Sequence, residues 1–365
     1  MSVPLATTSV VSGKYVLHRL IGSGGAANVY EAENLLVGKR VALKRLSPDL
    51  ARDAAVCAAF LGEARVAARV GHPNIADILD LGMDRDGHPY IVMELIEGET
   101  LEQVLARRGP LPAAYACELM LQVLAAVDAA HLAGIIHRDL KPSNVMVSHP
   151  RPDEPLVKVL DFGIAQGLLE AETSRWAGTP LYMAPEQGLG LAVDGRADVY
   201  SASVMLYQLL TGELPYEAES RDELLAKSLA GKFVPLRQRV ASLPQTLTDV
   251  IEAGVTGWPQ RRLRSVRALA EGLMPFVAPA LRASFRSSGA FSGSPIPLLD
   301  KKPLERVSLN VIEVGSVLSE RALRDPRIPS PPATPRWQPA HGTSDRQRRL
   351  IRLGRFGRSP AHAAG

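Results

Sequence analysis

Residues 137–144 read HRDLKPSN and set a carboxylate (Asp139), an ammonium (Lys141) and an amide (Asn144) in one tight loop. A second carboxylate, Asp161, opens the triplet DFG at 161–163. Oxygen donors of this kind suit a hard divalent cation. Upstream, GSGGAANV (22–29) places Gly22, Gly24 and Gly25 between two apolar stretches, where bare backbone N–H groups can approach a polyphosphate with no Cβ in the way. VALK (41–44) ends in Lys44, and Glu63 is the one acidic residue on the apolar face of the helix-like stretch that follows. A buried glutamate is costly unless paired, and Lys44 is its natural partner. Taken singly, each feature has a plainer reading. The glycines could be a hairpin turn, Lys44 and Glu63 an ordinary ion pair, and Asp161 and Asn144 caps of turns or helices.

The elements that must position these groups follow from periodicity. YVLHRLIG, ANVYEAEN and KRVALKRL, separated by glycine-containing turns, predict three short strands of an antiparallel meander. Over residues 53–70 the period changes, and Phe60, Glu63, Ala67 and Val70 fall on one helix face. HPYIVMELIEG reads as another buried strand. Beyond Gly98 helices dominate: an amphipathic helix over 113–133 with Gly134 at its C-terminus, then ADVYSASVMLYQLLTG, apolar around most of its circumference and so buried. Strands first and helices later predict a two-lobed α+β protein.

The ordered set of motifs, completed by GTPLYMAPE (178–186) and Asp198, resembles the protein kinase family, in particular the bacterial serine/threonine kinases of the eukaryotic type. The resemblance covers residues 14–274. It implies a bilobal fold, with a small antiparallel N-lobe carrying one helix (14–95) and a larger helical C-lobe (96–276). It implies phosphoryl transfer from Mg-ATP, with Mn²⁺ as an alternative cation, to Ser/Thr hydroxyls of protein substrates. Such transfer demands positioning and charge neutralisation more than covalent chemistry. By the same resemblance Lys44, steered by Glu63, holds the α- and β-phosphates. Asp161 and Asn144 bind the metal, Asp139 orients the acceptor hydroxyl and takes its proton, and Lys141 stabilises the γ-phosphate. Ile21, Gly22, Gly24, Gly25, Val29, Ala42 and Met146 enclose the nucleotide, Met93 guards the back pocket, and Glu94 and Ile96 offer backbone groups to adenine. Thr179 bridges Asp139 and Lys141. Arg138 is the partner of a phosphorylated activation segment, with Thr173 and then Ser174 as acceptors by autophosphorylation. Glu186 pairs with Arg262, His137 is structural, and Asp198 caps its own helix and bonds the catalytic-loop backbone. The sequence departs from the family at Ala27, which stands for the third loop glycine, and at Ala202 and Ser203, where a packing adjustment is expected.

The charge is divided along the chain. From Val277 onward there are 15 Lys/Arg against 6 Asp/Glu, whereas residues 1–276 carry 27 against 32. The segment 277–365, rich in Ser, Pro and Arg, cannot bury enough apolar surface to offset its ordering entropy and is expected to be disordered. Residues 1–13 are expected to form a flexible leader. RQRRLIRLGRFGR within the tail reads as a solvated basic stretch, with contact to an anionic surface or a partner protein as the alternative. Two distant cysteines, Cys57 and Cys117, read as reduced thiols of a cytoplasmic protein. Neither a signal peptide nor a transmembrane anchor is expected, Val199–Gly212 being too short to span. A transient homodimer stays open. So does a pseudokinase scaffold that recruits partners through its tail, although Lys44, Asp139 and Asp161 are all present.

Overall fold

Alternating apolar residues in the first hundred positions pair into a curled antiparallel sheet. The computed structural model describes residues 9–151, 154–162, 181–287 and 291. The chain divides into one unit of residues 1–299 and a second of 300–365, and the second lies outside the described residues. Strands β1 (Val10–Val11), β2 (Tyr15–Ser23), β3 (Ala27–Asn34), β4 (Lys39–Leu46), β5 (Ile78–Met83) and β6 (Pro89–Glu94) form one sheet in the order β1-β2-β3-β4-β6-β5. The three expected strands form the meander β2-β3-β4; after β4 the chain leaves the sheet, returns as the edge strand β5, and β6 then inserts beside β4. The strand β1 also reaches into the expected leader, where Val11 is buried beside Tyr15, Leu17 and Val92.

The detour after β4 is helix α1 (Ala54–Ala67), capped by the Asp53 carboxylate, which accepts the amides of Ala55 and Val56. It ends three residues before Val70, which is nonetheless buried. The helix covers one sheet face through Val56, Cys57, Phe60 and Ala64 against Ala27, Leu46 and Ile91. The opposite face encloses Leu17, Ala32, Val41, Leu43 and Val92.

The helical part begins with α2 (Leu101–Arg108) and α3 (Ala113–Leu132). Helix α3 has the length and hydropathy of a membrane span, a feature the sequence reading places in no segment, but 72% of its apolar window is buried inside the lobe. Gly134 follows it with φ +78°, the left-handed conformation that ends a helix without Cβ strain. A small sheet pairs β7 (Glu99–Thr100), just before α2, with β8 (Val145–Arg151), and β8 with β9 (Glu154–Val159), both after α3. Then come α4 (Pro185–Gly188), α5 (Arg196–Thr211), α6 (Arg221–Ala230), α7 (Leu236–Arg239), α8 (Gln245–Val255), α9 (Val266–Leu273) and α10 (Pro279–Ser287). Helix α10 falls inside the stretch expected to be disordered, and Val277 joins the core. Leu119, Val123 and Val127 of α3 share that core with Met205 and Leu209 of α5, Leu247 and Ile251 of α8, and Leu269 of α9.

The expected adjustment at Ser203 is visible. A Cβ on Gly254 of α8 would overlap Ser203 Oγ, so glycine there lets the two helices meet. The Ser203 hydroxyl is buried and has no hydrogen-bond partner among the described residues.

Candidate active site

Register decides which side chains of the sheet share a face. Val29 opposes Lys44, which opposes Ile91, and Glu31 opposes Ala42, which opposes Met93. Val29, Ala42, Lys44 and Met93 therefore all project from one face, because side chains two apart on a strand and directly across strands point the same way. Ala27 shares that face but is buried in the cluster beneath α1.

The turn between β2 and β3 carries Gly24 and Gly25, and its Gly24 amide donates to the Ala27 carbonyl at 3.0 Å. Neither Gly22 nor Gly24 has a left-handed φ, and an added Cβ would meet its nearest neighbour at 3.5 and 3.6 Å, an ordinary contact. The protein's own packing thus does not demand glycine at either position. What glycine leaves here is open backbone, as a bound polyphosphate would need.

Lys44 Nζ forms an ion pair with Asp161 Oδ1 at 2.8 Å, and its ammonium stands 5.9 Å from the centre of the Phe60 ring. Burial alone would lower the Lys44 pKa. The negative charges of Asp161 and half-buried Glu63 outweigh it and hold that pKa above the ordinary lysine value. The expected Glu63 influence on Lys44 is therefore shared with a second carboxylate, from the far side of the chain. Asp161 itself has φ +36°.

The residues of the 137–144 loop meet as one hydrogen-bonded group. Lys141 Nζ donates to both Asp139 oxygens at 2.8 and 3.0 Å. Asn144 Nδ2 donates to the Asp139 carbonyl at 2.8 Å and to Asp139 Oδ2 at 2.9 Å, which leaves its Oδ1 as an acceptor end. The Leu160 amide donates to the Asn144 carbonyl at 2.8 Å, tying the residue before Asp161 to this loop.

Beneath the loop, Asp198 is wholly buried, and its two oxygens accept the amides of His137 (2.8 Å) and Arg138 (2.9 Å). Its Oδ2 also accepts His131 Nε2–H at 2.6 Å. The cap of its own helix, expected from the sequence, is not made: Gly195 holds the N-cap position with no side-chain bond. The carboxylate is turned to the loop instead, where it satisfies buried amides. Arg138 adopts φ +65°, an uncommon conformation for a non-glycine residue, held by Asp198 on its N–H and by Gln187 Nε2, which donates to its carbonyl at 3.0 Å. His137 is buried against Phe162, ring centres 4.8 Å apart, with Nε2–H donating to the Leu160 carbonyl at 3.1 Å. Sequence reasoning missed His131 and Gln187. Their only signal is proximity in a fold, since neither lies at a telling spacing from Asp139.

Met93 and Glu94 end β6, and the Glu94 amide donates to the Asp77 carbonyl at 3.0 Å. Ile96 follows in the irregular link to β7, while Met146 on β8 opposes Thr100. Ile21, on β2 at the glycine turn, is exposed. Arg262 donates from Nη1 and Nη2 to the two Glu186 oxygens at 2.8 and 3.1 Å, both side chains buried. Gly163, Thr173, Ser174 and Thr179 lie outside the described residues.

The fold and this constellation define a protein kinase, and the chain belongs to that family: residues 15–274 match the protein kinase domain. It is similar to serine/threonine-protein kinase pkn3 of Myxococcus xanthus, 43% identical over 237 residues, which cover 63% of this chain and 43% of that protein. It is 37% identical over 244 residues to serine/threonine-protein kinase PrkC of Bacillus subtilis, covering 66% of this chain and 37% of the relative. The chain thus spans about two-fifths of the length of these curated relatives. Among solved structures, the Mycobacterium tuberculosis PknI kinase domain matches with TM-score 0.59 and 28% identity, over 74% of this chain and 99% of that one. A crystal structure of Rad53 residues 1–466 in complex with AMP-PNP matches with TM-score 0.60 and 26% identity, over 71% and 64%.

Proposed function

We propose that this protein is an active serine/threonine protein kinase that transfers the γ-phosphoryl group of Mg-ATP to Ser/Thr hydroxyls of proteins. The observation that carries the reading is the hydrogen-bonded group Asp139–Lys141–Asn144, joined through Leu160 to Asp161. The residues fit a nucleotide with a divalent cation. Open backbone at Gly22 and Gly24 suits phosphate, and the Asp161 carboxylate with Asn144 Oδ1 gives oxygen donors only. When bound, the cation neutralises charge on the triphosphate.

The chain's own groups then have distinct tasks. Lys44, kept protonated by Asp161 and Glu63, neutralises the α- and β-phosphates. Asp139 orients the acceptor hydroxyl and receives its proton, and Lys141, already on the same carboxylate, meets the charge that develops on the γ-phosphate. Glu94 commits its N–H to Asp77, so its carbonyl is what it offers to adenine, with Ile96 as the second backbone contact. Val29, Ala42 and Met146 sandwich the ring, Met93 closes its back edge, and Ile21 covers the front. Rad53, a structural neighbour, holds AMP-PNP, which supports an adenine nucleotide here. Autophosphorylation at Thr173 or Ser174, paired by Arg138, would order the activation segment. Buried, reduced Cys57 and Cys117 accord with a cytoplasmic setting.

Incubation of the full chain with Mg-ATP, followed by phosphosite mass spectrometry, tests the reading. Wild type should gain phosphate on Ser or Thr, Thr173 or Ser174 among them, while Asp139→Asn and Asp161→Asn should gain none. Equal incorporation in all three would refute it.

A further inference from the structure

Lys158 on β9 stands three residues before Asp161, and its ammonium reaches across to the end of β6. Nζ donates to Glu94 Oε1 at 2.6 Å and to the Ile75 carbonyl at 3.2 Å. The same Glu94 oxygen accepts the Asp77 amide at 2.8 Å. Backbone bonds knit the strip further: the Ala76 amide to the Val159 carbonyl at 3.0 Å, and the Val159 amide to the Asn74 carbonyl at 2.8 Å. Asn74 Nδ2 in turn donates to the Val157 carbonyl at 2.8 Å. One ion pair therefore joins three things: the segment entering β5, the last residue of β6, and the strand that delivers Asp161.

The pair is not a surface ornament. The Lys158 side chain is 12% exposed and that of Glu94 27%, so water competes poorly for either. A surface pair this close would be free to exchange partners, whereas here Lys158 has a second acceptor in Ile75 and Glu94 a second donor in Asp77. One oxygen of the carboxylate, Oε1, is consequently held by two donors, and the Glu94 amide returns a bond to the Asp77 carbonyl, so the backbone of residue 94 is held as well.

We propose that Lys158 is a positioning residue for nucleotide binding: by clamping Glu94 it fixes the adenine-facing backbone of residues 94–96 in register with Asp161. The proposal rests on the kinase reading above. Recognition through main-chain groups needs those groups already aimed, because a segment that must be ordered on binding loses affinity to the ordering. Lys158 touches neither Asp139 nor Lys141 in any hydrogen bond, so the clamp acts on binding and not on the transfer itself.

The test uses the full chain and the variants Lys158→Met, Lys158→Arg, Glu94→Gln and the double Lys158→Met/Glu94→Gln. Titration with Mg-AMP-PNP should show Lys158→Met weakening Kd about 3- to 10-fold, with Arg recovering part of the loss. The double variant should bind no more weakly than Lys158→Met, because one interaction cannot be lost twice. Amide exchange over residues 94–98 should speed up in nucleotide-free Lys158→Met, and KM for ATP should rise while kcat stays within about twofold. Glu94→Gln, which keeps an acceptor for the Asp77 amide, carries the binding and exchange expectations if Lys158→Met does not fold. Unchanged Kd and unchanged exchange in a folded variant would overturn the proposal, as would a fall in kcat at constant KM. Wild type that binds no nucleotide would overturn the kinase reading as well, so the two failures are told apart.

Discussion

Arg262 and Glu186 meet in a two-bond, fully buried ion pair that joins the start of α4 to the turn before α9. The guanidinium directs its remaining donors to the carbonyls of Thr256, Gly257 and Arg196, and lies 5.0 Å from the centre of the Tyr200 ring. Removing one partner leaves a buried charge without compensation. Arg262→Met should therefore cost about 3–5 kcal/mol of stability, read as a lower urea midpoint. A loss of only a few tenths would show that water reaches Glu186.

Asp198 predicts the direction of acid sensitivity. Burial by itself would raise its pKa, but the His131 hydrogen bond and the nearby His137 amide hold it below the ordinary value of 3.8. A depressed carboxylate contributes stability at pH above that value, and the contribution fades as pH falls through and below it. The stability gap between wild type and Asp198→Asn should accordingly be widest near neutrality and shrink toward pH 3, followed by urea melts at several pH values. A gap that grew on acidification would contradict the assignment.

At the contact of α5 and α8, Gly254→Ala would drive a Cβ into Ser203 Oγ and leave it 2.7 Å from the Ser203 Cβ. Overpacking of this kind costs about 1–3 kcal/mol, and Ser203→Gly in the same chain should recover part of it. Ser203→Ala alone should raise stability by about 1 kcal/mol, because it deletes a buried hydroxyl that finds no partner among the described residues. Thermal melts of the three variants check both statements.

Ala27 separates stability from nucleotide affinity. Its methyl is buried in the cluster that holds Leu46, Val56 and Phe60. Ala27→Gly should lose about 1–2 kcal/mol of stability through the missing methyl and the looser unfolded backbone. KM for ATP should change less than about twofold, since the loop glycines proposed to hold the phosphate are untouched.

Much of the site was readable because its chemistry is local in sequence. Asp139, Lys141 and Asn144 lie within six positions, so one tight loop was enough to bring them together, and the structure places all three in mutual hydrogen bonds. The strands 15–23, 27–34 and 39–46 were equally plain, since alternation at period two fixes which side chains share a face. The edge strand β5 was not, because ILDLGM does not alternate cleanly and is half-exposed. For Asp198 the sequence reading expected both a bond to the loop backbone and a cap on its own helix, and only the first is made. The buried amides of His137 and Arg138, some 60 positions away, were the stronger claim on its oxygens.

The sequence by itself determined the family, the order of its motifs and the residue types at the candidate site, for these depend on chemistry written in short spacings. Tertiary structure alone decided that Lys44 answers to Asp161 as well as Glu63, that Asp198 leaves its helix uncapped and takes His131 as a further partner, and that Lys158 reaches Glu94. A charged group deep in a fold takes whichever partner compensates its lost hydration, and only the packed chain shows which partners are within reach.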